Sequence, residues 1–197
     1  MKTLVSLLSF MLASQAMADD TIWLGEPSYG GSGCPRGSAS ATLSPDAKSL
    51  SILFDQYTVE AGGFTGKRLD RKSCNVAIPV HVPQGFSVSV IGIDYRGFNS
   101  LPFGSRSQFN VEYFFAGTRG PRFTQNFSGP QDSDYLIEND LIARGLIWSR
   151  CGVDVILRSN SSMLVMTNGR SEQAFSSVDS MDVDAGIIYH FQWKTCN

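Results

Sequence analysis

Residues 187–193 read Ile187-Ile188-Tyr189-His190-Phe191-Gln192-Trp193. A period of two puts Ile187, Tyr189, Phe191 and Trp193 on one face of an extended strand and Ile188, His190 and Gln192 on the other. Aromatic and β-branched side chains at these positions suit a pleated, half-buried surface. Cys196 follows almost at once, so the C-terminus is expected to be tied down.

The same alternation recurs upstream. Val153, Val155 and Leu157 carry it, as do Val111, Tyr113 and Phe115, then Val76, Ile78, Val80 and Val82, and Leu50, Ile52 and Phe54. Pro79 removes a ladder donor and predicts an edge strand or a bulge. Phe86, Val88 and Val90 slip in phase to Ile91, Ile93 and Tyr95 beside Gly92, which predicts a β-bulge. Asn160, Ser161 and Ser162 read as the turn of a hairpin ahead of Met163–Met166. The glycine-rich stretch from Asp19 to Ser44 reads as a loop, and a short helix competes with a strand only over Asp134–Arg144. Many short strands with turn residues between them predict an all-β fold, an antiparallel two-sheet β-sandwich of jelly-roll type, stapled by disulfides.

The chain begins Met1-Lys2-Thr3, continues with a short apolar stretch from Leu4 to Ala13, and reaches Ala16-Met17-Ala18. That pattern predicts a secretory signal peptide over residues 1–18 and a single secreted domain over 19–197. The apolar stretch is shorter than the roughly 20 residues of a membrane span, and no later stretch supplies one. Removing the first 18 of 197 residues leaves 179, and losing Lys2 takes the formal charge from −2 to −3. Lys and Arg are dispersed along a mildly acidic chain, which argues against nucleic acid as a partner. Cys34, Cys74, Cys151 and Cys196 form an even set in an exported chain, which predicts two bridges. Three pairings are open; Cys34 with Cys74 and Cys151 with Cys196 is preferred because nearer neighbours meet more readily.

Motifs of chemistry fail on inspection. Gly62-Gly63-Phe64-Thr65-Gly66-Lys67-Arg68 is one residue short of a phosphate loop and has Arg68 in place of the magnesium-binding hydroxyl. Gly30-Gly31-Ser32-Gly33-Cys34 imitates a nucleophile elbow with Cys34 at the last glycine position. His81 and His190 sit on predicted strands. Asp179, Asp182 and Asp184 crowd one loop and are weak calcium candidates, but they lack the twelve-residue spacing of a calcium loop. No cofactor or structural metal is expected. Recognition is expected on a loop with exposed aromatic and guanidinium groups, and Tyr95–Ser107 has that composition, with Tyr95, Arg96, Phe98, Phe103 and Arg106 as ligand-binding candidates. Asn126-Phe127-Ser128 and Asn160-Ser161-Ser162 are glycosylation sequons in a eukaryotic secretory route.

Gly33-Cys34-Pro35, Arg71-Lys72-Ser73-Cys74, Pro83-Gln84-Gly85, Asp94-Tyr95-Arg96-Gly97-Phe98, Trp148-Ser149-Arg150-Cys151-Gly152 and Trp193-Lys194-Thr195-Cys196 together resemble the secreted family catalogued as domain of unknown function 4360. The resemblance spans Gly33 to Cys196, with Arg150 departing from a common proline. It implies export, one domain and paired cysteines, and it brings no activity with it. The residues therefore predict a non-catalytic binding module, extracellular or periplasmic, for a glycan or a protein surface. A secreted inhibitor or effector-like interaction protein and a carboxylate-based hydrolase of an extracellular polymer are the alternatives.

Overall fold

The computed structural model describes residues 23–46, 48–141, 146–179 and 186–196, so the signal segment, Asp182 and Asp184 lie outside the described residues. In chain order the strands are β1 (Trp23–Leu24), β2 (Ser28–Gly30), β3 (Ala39–Leu43), β4 (Ser49–Phe54), β5 (Thr58–Ala61), β6 (Leu69–His81), β7 (Phe86–Leu101), β8 (Arg106–Phe115), β9 (Arg122–Ser128), β10 (Gln131–Asp140), β11 (Val155–Met166), β12 (Ala174–Ser177) and β13 (Ile187–Thr195). The first sheet runs β1-β6-β11-β8-β9, with β2 also on β6; the second runs β3-β4-β13-β7-β12-β5, with β10 on the other side of β7. Every pairing is antiparallel. The fold is a two-sheet β-sandwich.

The alternating side chains supply the interior. Ile78 of β6, Phe109 of β8 and Leu157 of β11 face Ile52 of β4, Ile93 of β7 and Ile187 of β13, all fully buried. Each such side chain contributes about 1.5–3 kcal/mol through burial. Tyrosines also fill the interior: burial raises the phenols of Tyr57, Tyr95 and Tyr135 above the ordinary range and pushes Tyr189 up to about 12. Tyr57 Oη lies 3.0 Å from Ser161 Oγ, and Ser176 Oγ donates to Ser107 Oγ at 2.7 Å, so polar contacts also join the two sheets. Cys34 pairs with Cys74 and Cys151 with Cys196, the neighbour pairing the spacing favours. Both bridges anchor segments that cross between sheets, β2 to β3 and β10 to β11.

The bulge beside Gly92 is present: His190 faces Gly92 while Phe191 faces Val90, leaving Ile91 unpaired in the register. Five other expectations are corrected or settled. Residues 155–166 form one unbroken strand, because Ser159 and Ser161 are buried inside the sandwich while Asn160 and Ser162 point out, so the polar triplet continues the alternation and makes no turn. Tyr95 to Leu101 belongs to β7 and only Pro102–Ser105 turns, since β10 pairs along the whole segment. Asp134 to Asp140 is strand, not helix. Pro79 lies in β6, flanked by β11 on one side; on the other it falls between β1 and β2, where Gly25 N–H donates to its carbonyl at 2.8 Å and no donor is needed from it. The stretch read as a loop to Ser44 also holds β1, β2 and β3.

Candidate functional site

The five candidates of the Tyr95–Ser107 segment are scattered. Tyr95 is fully buried against Phe109, with ring centroids 4.8 Å apart. Arg96 and Phe98 point out from the second sheet, where Phe98 packs on Phe175 at 6.4 Å. Phe103 stands 80% exposed at the tip of its turn, whose carbonyl accepts from Asn168 Nδ2 at 2.9 Å. Arg106 lies on the outer face of the opposite sheet. No single ligand reaches all five.

The remaining near-motifs are accounted for by local structure. Gly63–Thr65 is one 3-10 turn, and Cys34 is in a disulfide. Asp179 Oδ2 accepts from the Phe54 N–H at 2.9 Å. Among the described residues, no three His, Cys, Asp or Glu side chains gather closely enough to hold a metal ion. His81 Nδ1 lies 2.8 Å from Asp154 Oδ1 with Trp23 stacked on its ring, and His190 Nε2 lies 2.8 Å from Asp94 Oδ2. A depression of about 460 Å³ near Trp148, Val153, Asp154 and Ile156 is largely apolar, and Lys194 Nζ sits 4.0 Å from the Trp148 ring centre.

The site that the pairing assembles lies on the outer face of the first sheet. Register aligns Asn75, Asn160, Glu112 and Arg122 across β6, β11, β8 and β9. The next row is Ser73, Ser162, Asn110 and Thr124, and the one after it Arg71, Leu164, Gln108 and Asn126. The first two rows and Arg71 line a depression of about 520 Å³. Beyond them, Arg106 and Met166 line a further hollow of about 290 Å³, and Arg158 stands in the row on the far side.

These polar groups hold one another in place. Thr124 Oγ1 donates to Asn110 Oδ1 at 2.7 Å, Asn110 Nδ2 to Gln108 Oε1 at 2.9 Å, and Gln108 Nε2 to Asn126 Oδ1 at 2.8 Å. Arg71 Nη2 donates to Ser162 Oγ at 3.1 Å, and Arg122 Nη2 to Glu112 Oε2 at 3.3 Å. Each amide keeps further donor or acceptor capacity. The result is a preorganised field of neutral hydrogen-bonding groups, and Glu112 is the one carboxylate lining the trough.

Sequence reading missed this field because it joins residues from four strands. The available signal was that the polar positions of all four, Ser73 and Asn75, Gln108 and Asn110, Thr124 and Asn126, Asn160 and Ser162, are amides and hydroxyls where a solvent face more often carries Lys and Glu. Both sequon asparagines, Asn126 and Asn160, lie on it.

Among solved structures, the carbohydrate-binding module TmCBM61 in complex with beta-1,4-galactotriose aligns over 86% of this chain and 88% of its own, with 11% identity and a TM-score of 0.32. A protein of Arthroderma benhamiae described as an uncharacterized secreted protein is 33% identical over 169 residues, 85% of this chain and 69% of that one. The family profile described as Domain of unknown function (DUF4360) matches residues 20–196. The chain belongs to that family.

Proposed function

We propose that the protein is a non-catalytic extracellular binding module that takes a polysaccharide chain along the trough of the first sheet. The observation that carries this reading is the hydrogen-bonded field of Gln108, Asn110, Thr124 and Asn126 beside Asn75 and Asn160. Sugar hydroxyls both donate and accept, and amides and hydroxyls held in fixed orientations match them without the cost of ordering loose side chains. Three rows about 7 Å apart present the same chemistry repeatedly along the strands, which suits a polymer. Glycoside hydrolysis ordinarily needs two carboxylates flanking the bond; the trough has Glu112 alone, engaged by Arg122.

Affinity electrophoresis of the secreted protein through gels containing neutral and acidic polysaccharides tests the reading, with reducing-sugar release assayed in parallel. Retardation by at least one polymer, lost in the Asn75→Ala/Asn160→Ala variant and unaccompanied by sugar release, is the expected result. Retardation by none, or release of sugar that Glu112→Gln abolishes, would overturn it.

A further inference from the structure

We infer that the polymer of this trough is acidic, a polysaccharide bearing carboxylates such as a polyuronate; the inference rests on the binding-module reading and specifies its ligand. Four guanidinium groups stand on the outer face of the first sheet, Arg106 and Arg71 toward one end of the amide field and Arg122 and Arg158 toward the other. Against them the strands of that face set Glu112, while Asp154, just before β11, is taken up by His81. The chain as a whole carries a formal charge of −2, so the excess does not follow from a basic composition. It arises because residues far apart in sequence fall on one surface.

These arginines are available. The side chains of Arg106 and Arg158 are exposed and make no hydrogen bond or ion pair among the described residues. Arg71 and Arg122 each use one Nη2 atom in the bonds to Ser162 and Glu112 and retain other N–H donors. A guanidinium fork matches a carboxylate with two parallel hydrogen bonds, which makes the carboxylate the ligand group that this set recognises best. Arg106 and Arg158 are eight residues apart by register along β8 and β11, about 27 Å. A linear polymer with carboxylates along its length reaches guanidinium groups at both ends while its hydroxyls meet the amides between them.

The acids of the second sheet do not cancel this field at the ligand. Asp94, Asp132, Asp134, Glu138 and Asp140 point out from the second sheet, on the far side of a sandwich whose sheets lie about 10 Å apart, and the screening length at physiological salt is about 8 Å. Single-stranded nucleic acid is the less suitable anion, because its bases bind by stacking on exposed aromatic rings and the three amide rows offer none.

Titration calorimetry of the secreted protein with polygalacturonate, the same polymer fully methyl-esterified, a neutral galactan and an oligouridylate, each at 25 and 250 mM NaCl, tests the inference. The expected order is polygalacturonate at least tenfold tighter than the esterified polymer, with the difference shrinking at high salt. Arg106→Gln and Arg158→Gln should each weaken polygalacturonate at least threefold and leave both the melting temperature and the weak binding of esterified polymer unchanged. Equal affinity for charged and esterified polymer, or inert arginine variants, would overturn the acidic inference while leaving the module reading intact. Binding of none of the polysaccharides would overturn both, and an oligouridylate bound more tightly than polygalacturonate would replace the polysaccharide with nucleic acid.

Discussion

On the first sheet, the outward positions of β8 are Arg106, Gln108, Asn110, Glu112 and Phe114; on the second, those of β10 are Asp132, Asp134, Leu136, Glu138 and Asp140. The two strands are equal in length and alternate in the same way. Their inward positions are interchangeable in kind, Phe109, Val111 and Tyr113 against Tyr135 and Ile137. Alternation thus settles which side chains go inside and leaves the outward ones free to differ. On β10 four of the five are acids on a strand that pairs with β7 alone, and charge along an exposed edge discourages pairing with another chain. Glu138 even lies directly across from Asp94, a like-charge pair that a purely stabilising surface would avoid. On β8 the outward groups bond to one another and to neighbours on β9, and there we place the proposed recognition site.

Conditions that open the interior remove both faces together and have the largest expected effect. The phenols of Tyr57, Tyr95, Tyr135 and Tyr189 are all held above the ordinary tyrosine value of about 10 by burial. Below that pH neither folded nor unfolded chain has lost these protons, and the stability is fully present. Above it the unfolded chain releases them while the folded one retains them, so unfolding is favoured increasingly as pH rises toward the folded values, about 12 for Tyr189. Four phenols together give a loss of up to about 5 kcal/mol per pH unit. Urea unfolding at pH 9, 10 and 11 should show a falling midpoint; a flat midpoint through pH 11 would mean that these tyrosines are not buried as described.

The bridges come next. Cys34–Cys74 and Cys151–Cys196 close separations of 40 and 45 residues, and loss of either should cost about 4 kcal/mol on the chain-entropy account. Denaturant unfolding of Cys34→Ala/Cys74→Ala and Cys151→Ala/Cys196→Ala double variants measures this, and a change under 1 kcal/mol for either would remove that bridge from the explanation of how the faces are held back to back.

The smallest effects on stability should separate the faces most sharply. Asn110→Ala and Thr124→Ala on the first sheet, and Asp134→Asn and Glu138→Gln on the second, are outward substitutions expected to shift folding by about 0.5 kcal/mol or less. In polysaccharide binding the first pair should lose affinity and the second should not. Equal losses from both pairs would erase the distinction between the faces.

Much of the scaffold was legible in the sequence. Ile187 to Trp193 announces a strand with its buried face, and the slip at Gly92 announces the bulge. Local pattern misled where tertiary pairing decides: Asn160-Ser161-Ser162 has turn composition, yet its middle serine reaches Tyr57 across the interior and the strand runs on. Phe98 and Phe103 have the composition of a binding loop, but β10 extends β7 past Phe98 and leaves only the tip at Phe103 exposed. The trough was the least legible. Arg71, Arg106, Arg122 and Arg158 look dispersed along the chain and come to share one face only through the register of β6, β11, β8 and β9.

Nitrogen-15 NMR of the secreted protein titrated with a defined oligogalacturonate tests the central claim most directly, because it maps the occupied surface residue by residue. The expected result is perturbation of the backbone and side-chain amides of Asn75, Gln108, Asn110, Asn126 and Asn160, with the amides of Asp134–Asp140 and Ile188–Gln192 unmoved. Perturbation confined to the second sheet, or to the turn around Phe103, would contradict the assignment of the trough as the binding site.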